Sequence, residues 1–237
     1  MGSVEFLEWD SNFFNKKIGR FTISDESSKV QLTHHLRLAQ KENYELIYLF
    51  CNRNILIYKE TLDRFHGEFV DTKVIFYKGT NASDLLNANV SSYTSKHVSK
   101  ELVQLTLLSG KYSRFNTDSR FGEDAYSRMY KEWIEKSVSR KIADEVFIYK
   151  KANKTIGFVT VSINDKIGNI GLIAVDPSYQ GKGIGKALLQ KASAYVHSKL
   201  IQEIQVATQN ENIAACNFYI KNGFMIRSEQ DIYHFSL

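Results

Sequence analysis

Val175-Asp176-Pro177-Ser178-Tyr179-Gln180-Gly181-Lys182-Gly183-Ile184-Gly185-Lys186 is the stretch on which the fold turns. An apolar run ends at Val175, and Pro177, the only proline in the chain, stops a strand there. Three alternating glycines then lead into Ile184, Leu188, Leu189, Ala192, Tyr195 and Val196, which share one face of a helix over residues 184–199. Glycine allows positive φ and close backbone approach, and the first N–H groups of a helix are open to an anion. Strand, loop and helix start together make a cradle for a pyrophosphate. A Walker A loop would need Ser or Thr after the Gly-Lys pair, but Ala187 follows Lys186, and the four-residue gap is missing. A dinucleotide fingerprint would need its third glycine one position later and an acid at the end of the next strand, whereas Glu203 begins that strand. A turn with no ligand is the plainer alternative; the flanking strand, proline and helix weigh against it.

Outward from the loop, hydrophobic patterning predicts strands over 145–150, 155–163 and 168–175, with hairpin turns at Ala152-Asn153-Lys154 and Asn164-Asp165-Lys166. Helices are expected over 100–108 and 126–138 before these strands. A strand over 203–207, a helix over 213–221 and two strands, 224–228 and 231–235, are expected after the glycine loop. In the N-terminal part, strands over 18–23, 46–50 and 68–77 alternate with helices over 28–42, capped by Ser27 or Ser28, and 54–65. The polar stretch 79–95 reads as a linker, with a boundary between 80 and 96. Hairpins followed by alternating helix and strand predict an α/β (α+β) domain around a mixed sheet.

Composition limits the function classes. A 237-residue chain with 43% hydrophobic and 24% charged residues is an ordinary globular protein with ample core material. The formal charge of +5 suits an anionic small molecule or simply a basic surface. No run of five like charges suggests a nucleic-acid arm, no apolar stretch of eighteen residues suggests a membrane span, and no secretory leader is visible. Cys51 and Cys216 form neither a metal pattern nor a disulfide framework, so no metal is expected and the cytoplasm is the expected compartment.

Gln180-Gly181-Lys182-Gly183-Ile184-Gly185 resembles the Gln/Arg-x-x-Gly-x-Gly/Ala motif of GNAT acetyltransferases. The segment Asn212-Ile213-Ala214-Ala215, then Phe218-Tyr219-Ile220-Lys221-Asn222-Gly223-Phe224, resembles that family's Asn-x-x-Ala before Phe-Tyr-x-x-x-Gly-Phe. The resemblance implies acetyl-CoA as cosubstrate and a GNAT fold in the C-terminal half. Loop residues Gln180, Gly181, Lys182, Gly183, Ile184, Gly185 and Lys186 would hold the pyrophosphate, while Leu172, Ile173, Ala174 and Val175 would offer backbone groups to the pantetheine arm. Asn212 would cap the following helix and touch CoA. A leaving thiolate needs an acid, and Tyr219 is the phenol in place to supply it. Cys216 lacks a partner histidine at a recognisable spacing, so direct attack on acetyl-CoA is expected over a covalent enzyme intermediate. No acid on residues 168–175 offers a general base; Asp118 is one that could act through water.

A second resemblance runs along most of the chain. Leu7-Glu8-Trp9-Asp10-Ser11-Asn12-Phe13-Phe14, Gly19-Arg20-Phe21, Ser113-Arg114-Phe115, Tyr130-Lys131-Glu132-Trp133-Ile134-Glu135 and Val206-Ala207-Thr208-Gln209 resemble bacterial dTDP-fucosamine acetyltransferases in order. This implies an N-terminal domain over residues 1–90 resembling a partial GNAT copy, a catalytic domain over 96–237, and a homodimer. The implied acceptor is a dTDP-linked 4-amino-4,6-dideoxygalactose used for surface polysaccharide. Phe13, Phe14, Arg114, Phe115 and Trp133 are its candidate contacts, by stacking and by pairing with diphosphate, although packing explains Trp133 and the phenylalanines equally well. Two alternatives remain open: a GNAT enzyme acting on a protein, peptide or polyamine amine, and a non-catalytic CoA-binding sensor.

Overall fold

A computed structural model describes residues 4–25, 30–82 and 87–237. The chain divides into two compact units, one formed by Met1–Val74, Gln209–Asn212 and Ser228–Leu237, the other by Ile75–Thr208 and Ile213–Arg227.

The first unit contains β1 (Glu5–Phe6), α1 (Glu8–Phe14), β2 (Ile18–Ile23), α2 (Leu32–Lys41), β3 (Leu46–Asn52) and α3 (Lys59–Arg64), with the first part of β4 (Gly67–Gly79) and most of β10 (Met225–Ser236). Strand β2 runs parallel to β3, and β10 runs antiparallel to β3 with Tyr48 opposite His234. Phe21, Ile23, Leu32, Leu36, Ile47, Leu49 and Phe235 are buried in one cluster, so α2 packs its apolar stripe on the sheet.

The structure differs from expectation at three places here. Helix α3 begins at Lys59, not 54, because Ile55 and Ile57 are buried while Leu56 and Tyr58 are exposed; that alternation has the period of an extended segment. The two strands expected at the C-terminus are one, since Gln230 stays in register with Asn52. The helix α1 was not expected. Ser27 and Ser28, the expected caps of α2, lie outside the described residues.

The second unit carries β5 (Val90–Ser92), α4 (Lys100–Ser109), α5 (Arg114–Thr117), α6 (Ala125–Val138), β6 (Glu145–Lys151), β7 (Lys154–Asn164), β8 (Ile167–Val175), α7 (Ile184–Ser198), most of β9 (Glu203–Gln209) and α8 (Ile213–Lys221). Its strand order is β4-β9-β8-β7-β6-β5, antiparallel from β5 to β8 and parallel between β8 and β9. The two hairpin turns hold Ala152, Asn153, Asp165 and Lys166 at positive φ, as two-residue loops matched to strand twist require. Part of the stretch expected as a linker is β5, whose Val90 is buried and pairs with Tyr149 of β6. The compact division therefore falls at Val74 and Ile75 instead of between 80 and 96, and it is discontinuous because β10 returns to β3. No helix among the described residues is long and apolar enough to cross a membrane.

One irregularity in this sheet positions everything that follows. Between Val159↔Ile173 and Val161↔Ile170 the β7–β8 register shifts, placing two residues of β8 opposite Thr160. The Leu172 amide, displaced from the ladder, donates to Thr160 Oγ1 at 2.8 Å. Pairing of β8 with β9 runs from Gly168↔Ile204 to Ile170↔Val206, so residues 171–175 lie beyond it. Thr160→Val should therefore leave a buried amide unsatisfied and destabilise the protein by about 1–3 kcal/mol, read as a shift of the urea midpoint.

Candidate active site

The end of β8 is the first wall of the site. Leu172 is buried, while Ile173, Ala174 and Val175 are half-buried. Alternate residues of a strand turn their N–H and C=O to opposite sides, so this segment presents backbone donors and acceptors on the flank that β9 has left. An extended ligand with amide groups can pair there as an added strand would.

The glycine loop forms the floor. Asp176 caps the short helical turn Pro177–Tyr179 by accepting from Ser178 N at 3.0 Å, and its amide donates to Ile156 O at 2.8 Å. The Ser178 amide, and then Lys154 at 3.5 Å, hold the Asp176 carboxyl below its ordinary range. Gln180 donates its side-chain amide to Val175 O at 3.1 Å, tying loop to strand. Gly181 and Gly183 have φ of +74° and +77°, and a Cβ on either would meet open space. Glycine is thus needed for backbone conformation, and the loop faces a vacant surface. Gly185 has a different role, because a Cβ there would come within 2.9 Å of the Phe218 ring. That glycine lets α8 pack against the start of α7. Ile184 is buried against the sheet, whereas Lys182 and Lys186 are exposed. Lys182 donates to Ser178 O at 3.0 Å and stands 5.2 Å from the Tyr179 ring. Vacant space, N–H groups at the start of a helix and nearby lysines fit a pyrophosphate.

Helix α8 supplies Tyr219, which is 3% exposed and surrounded by Phe76, Phe218 and Phe224 at ring distances of 5.5, 5.4 and 5.7 Å. Burial pushes the phenol well above its ordinary value, with the neighbouring Cys216 adding to the shift. Cys216 is half-buried. Asn212 directly precedes α8 as expected, but it belongs to the first unit.

The acceptor candidates also divide between the units. Phe13 and Phe14 lie on α1 in the first, where Phe13 stacks on Trp9 at 5.0 Å. Arg114, Phe115 and Trp133 lie in the second, where Phe115 is buried against Phe121 and Trp133, and the Arg114 guanidinium sits 4.3 Å from the Phe115 ring. Asp118 is engaged structurally: its carboxylate accepts from Arg120 Nη1 at 2.9 Å and from Arg120 N at 3.0 Å. Thr160 was missed in the sequence; its only signal was a lone hydroxyl inside the apolar run Val159-Thr160-Val161.

A profile of the acetyltransferase (GNAT) family matches residues 111–224. The chain is 32% identical over 230 residues to dTDP-fucosamine acetyltransferase of Escherichia coli O6:H1, covering 95% of each protein. It is 26% identical over 216 residues to the uncharacterized N-acetyltransferase MJ1207 of Methanocaldococcus jannaschii, covering 83% of this chain and 92% of that one. A conserved protein of unknown function from Staphylococcus epidermidis shares the fold with a TM-score of 0.61 at 14% identity, over 93% of this chain and 84% of the other. The chain belongs to the GNAT acetyltransferase family.

The Tyr219 environment has a measurable consequence. A phenol whose folded pKa lies above its unfolded value of roughly 10 adds stability that is complete below that value and is lost as pH rises through the folded value. Alkaline denaturation of Tyr219→Phe should accordingly show a smaller loss of stability above about pH 10 than the wild type.

Proposed function

We propose that this enzyme transfers acetyl from acetyl-CoA to the 4-amino group of a nucleotide-linked amino-deoxy sugar of the dTDP-4-amino-4,6-dideoxygalactose type, for surface polysaccharide synthesis. The observation that carries the acetyl-CoA part is the end of β8, unpaired on its β9 side, running into a glycine loop with open space over Gly181 and Gly183. The acceptor part rests on likeness to a dTDP-fucosamine acetyltransferase over 95% of both chains, a span that takes in most of the N-terminal half.

Bound acetyl-CoA supplies an activated acyl thioester. The backbone of Leu172, Ile173, Ala174 and Val175 holds the amide-bearing arm in extended form, while the loop from Gln180 to Lys186 neutralises the pyrophosphate. As the sugar nitrogen bonds to the thioester carbon and the C–S bond breaks, Tyr219 donates a proton to the departing sulfur, and the proton released by the acylated nitrogen restores the phenol. Its raised pKa keeps that proton in place at neutral pH, and its apolar surroundings exclude water from the donor. Asp118 is left out of this scheme, since Arg120 occupies its carboxylate. Arg114, Phe115 and Trp133, all in the second unit, are assigned to the acceptor, with Arg114 directed to the diphosphate. The order strand, helix, strand, helix, strand over residues 18–79 supports an N-terminal partial GNAT copy.

Thiol release from acetyl-CoA, followed with dTDP- and UDP-linked 4-amino-6-deoxy sugars beside peptides and polyamines, tests the acceptor. Turnover is expected with the dTDP-amino sugar; turnover confined to peptides or polyamines would overturn that assignment. Acetyl-CoA binding with no turnover on any acceptor would overturn the enzyme assignment in favour of a sensor. Tyr219→Phe should lower kcat by roughly 10²–10⁴-fold with acetyl-CoA affinity nearly unchanged, and wild-type turnover in that variant would remove Tyr219 from the acid role.

A further inference from the structure

The face of the sheet turned away from α7 carries a polar row beside the opening at the end of β8. Gly168 lies against Val196 of α7, and Gly168 and Ile204 form a buried pair across β8 and β9. Alternation along the strands then turns the next pair, Asn169 and Gln205, to the opposite face, where both are half-buried. Gln205 Nε2 donates to Asn169 Oδ1 at 2.7 Å, and Asn169 Nδ2 donates to Ile167 O at 3.0 Å. Arg227 Nη1 donates to Gln205 Oε1 at 3.3 Å, while its Nη2 pairs with the Glu203 carboxylate and its guanidinium lies 4.5 Å from the Tyr77 ring. A directed row of hydrogen bonds thus runs from β10 past β4 to β9 and β8, all within the second unit. These bonds orient both amides without exhausting them, since each keeps one N–H and one lone pair. Glu203 neutralises Arg227, so the row carries no net charge.

We propose that Gln205 and Asn169 are specificity-determining residues that read the ring hydroxyls of the acceptor sugar. The inference rests on the acceptor assignment above and deepens it. The row is continuous with the opening: Gly171 and Ala207, two residues further along the same strands, are exposed beside the point where β8 and β9 part. At about 3.3 Å per residue they lie roughly 7 Å beyond the row, a span that one pyranose ring with its substituents fills. Neither residue has a side chain larger than a methyl group, so a sugar can lie over them with its amine at the thioester. A hydroxyl both donates and accepts, which is what each amide still offers. A polyamine would need carboxylates to hold its charges, and the carboxylate of the row, that of Glu203, is committed to Arg227. An uncharged hydroxylated ring is therefore the ligand whose chemistry the row complements. Amides already held by their neighbours lose little freedom when such a ring arrives.

Steady-state kinetics of the full chain with acetyl-CoA and the dTDP-linked 4-amino sugar, beside its 2-deoxy and 3-deoxy analogues, is the test. The wild type should lose about tenfold or more in kcat/KM on at least one analogue, because the amide facing the missing hydroxyl is left unsatisfied. Gln205→Leu should lose a similar factor on the parent sugar and should no longer distinguish it from that analogue. Its KM for acetyl-CoA should stay at the wild-type value, a split that a merely structural role does not produce. Equal wild-type kcat/KM on all three sugars would overturn the hydroxyl reading, with no variant needed, while leaving the acceptor assignment standing. A Gln205→Leu enzyme that keeps full discrimination, or one whose KM for acetyl-CoA rises as much as that for the sugar, would overturn it as well. Absence of turnover on every sugar, with acetyl-CoA bound, would overturn the acceptor assignment and this inference together.

Discussion

The bond from the Leu172 amide to Thr160 Oγ1 is the constraint on which the site depends. A bulge gives one strand an extra residue and leaves a backbone group without its ladder partner. Buried as it is, that group needs another acceptor, and the Thr160 hydroxyl supplies one from within the sheet. The extra residue turns β8 after Ile170, which is where its pairing with β9 stops. A regular strand would have continued the ladder and closed the gap. The opening is thus a product of local hydrogen-bond accounting, with one threonine as its guarantor.

Having left β9, the end of β8 must be held by something else. It keeps β7 on its other side through Val159, Phe158 and Gly157. The Gln180 side chain returns to Val175 O, and the Asp176 amide binds Ile156 O. These contacts fix strand and loop as one piece before any ligand arrives, so little ordering cost remains at binding. Helix α7 is anchored by close packing: Gly157 brings β7 against Ile184 and Leu188, and Gly185 admits the Phe218 ring. Glycine therefore acts in two ways within a few residues. At Gly181 and Gly183 it supplies positive φ beneath open space, and at Gly185 it makes room for a helix.

Much of this was legible in the sequence because it is periodic or local. The strand into Pro177, the alternating glycines and the apolar face of α7 are short-range patterns, and the structure places each as expected. What was not legible depends on partners distant in the chain. Thr160 reveals its role only when β8 lies beside it. The polar residues around Val90 read as a linker because a three-residue edge strand leaves no pattern, and its identity comes from pairing with Phe147 to Tyr149. The segment at Ile55 and Ile57 is too short for its period to be decided until the core shows which side chains it buries. Gln205 reads as an ordinary strand residue until Asn169 and Arg227 come to lie beside it across the sheet.

Amide hydrogen exchange with and without acetyl-CoA measures the central claim most directly, because it reads the backbone groups assigned to the cofactor. The account predicts added protection at residues 172–175 and 181–186, with the paired core of β2 and β3 unchanged. Unaltered exchange at both segments under saturating acetyl-CoA, or protection confined to other parts of the chain, would contradict it.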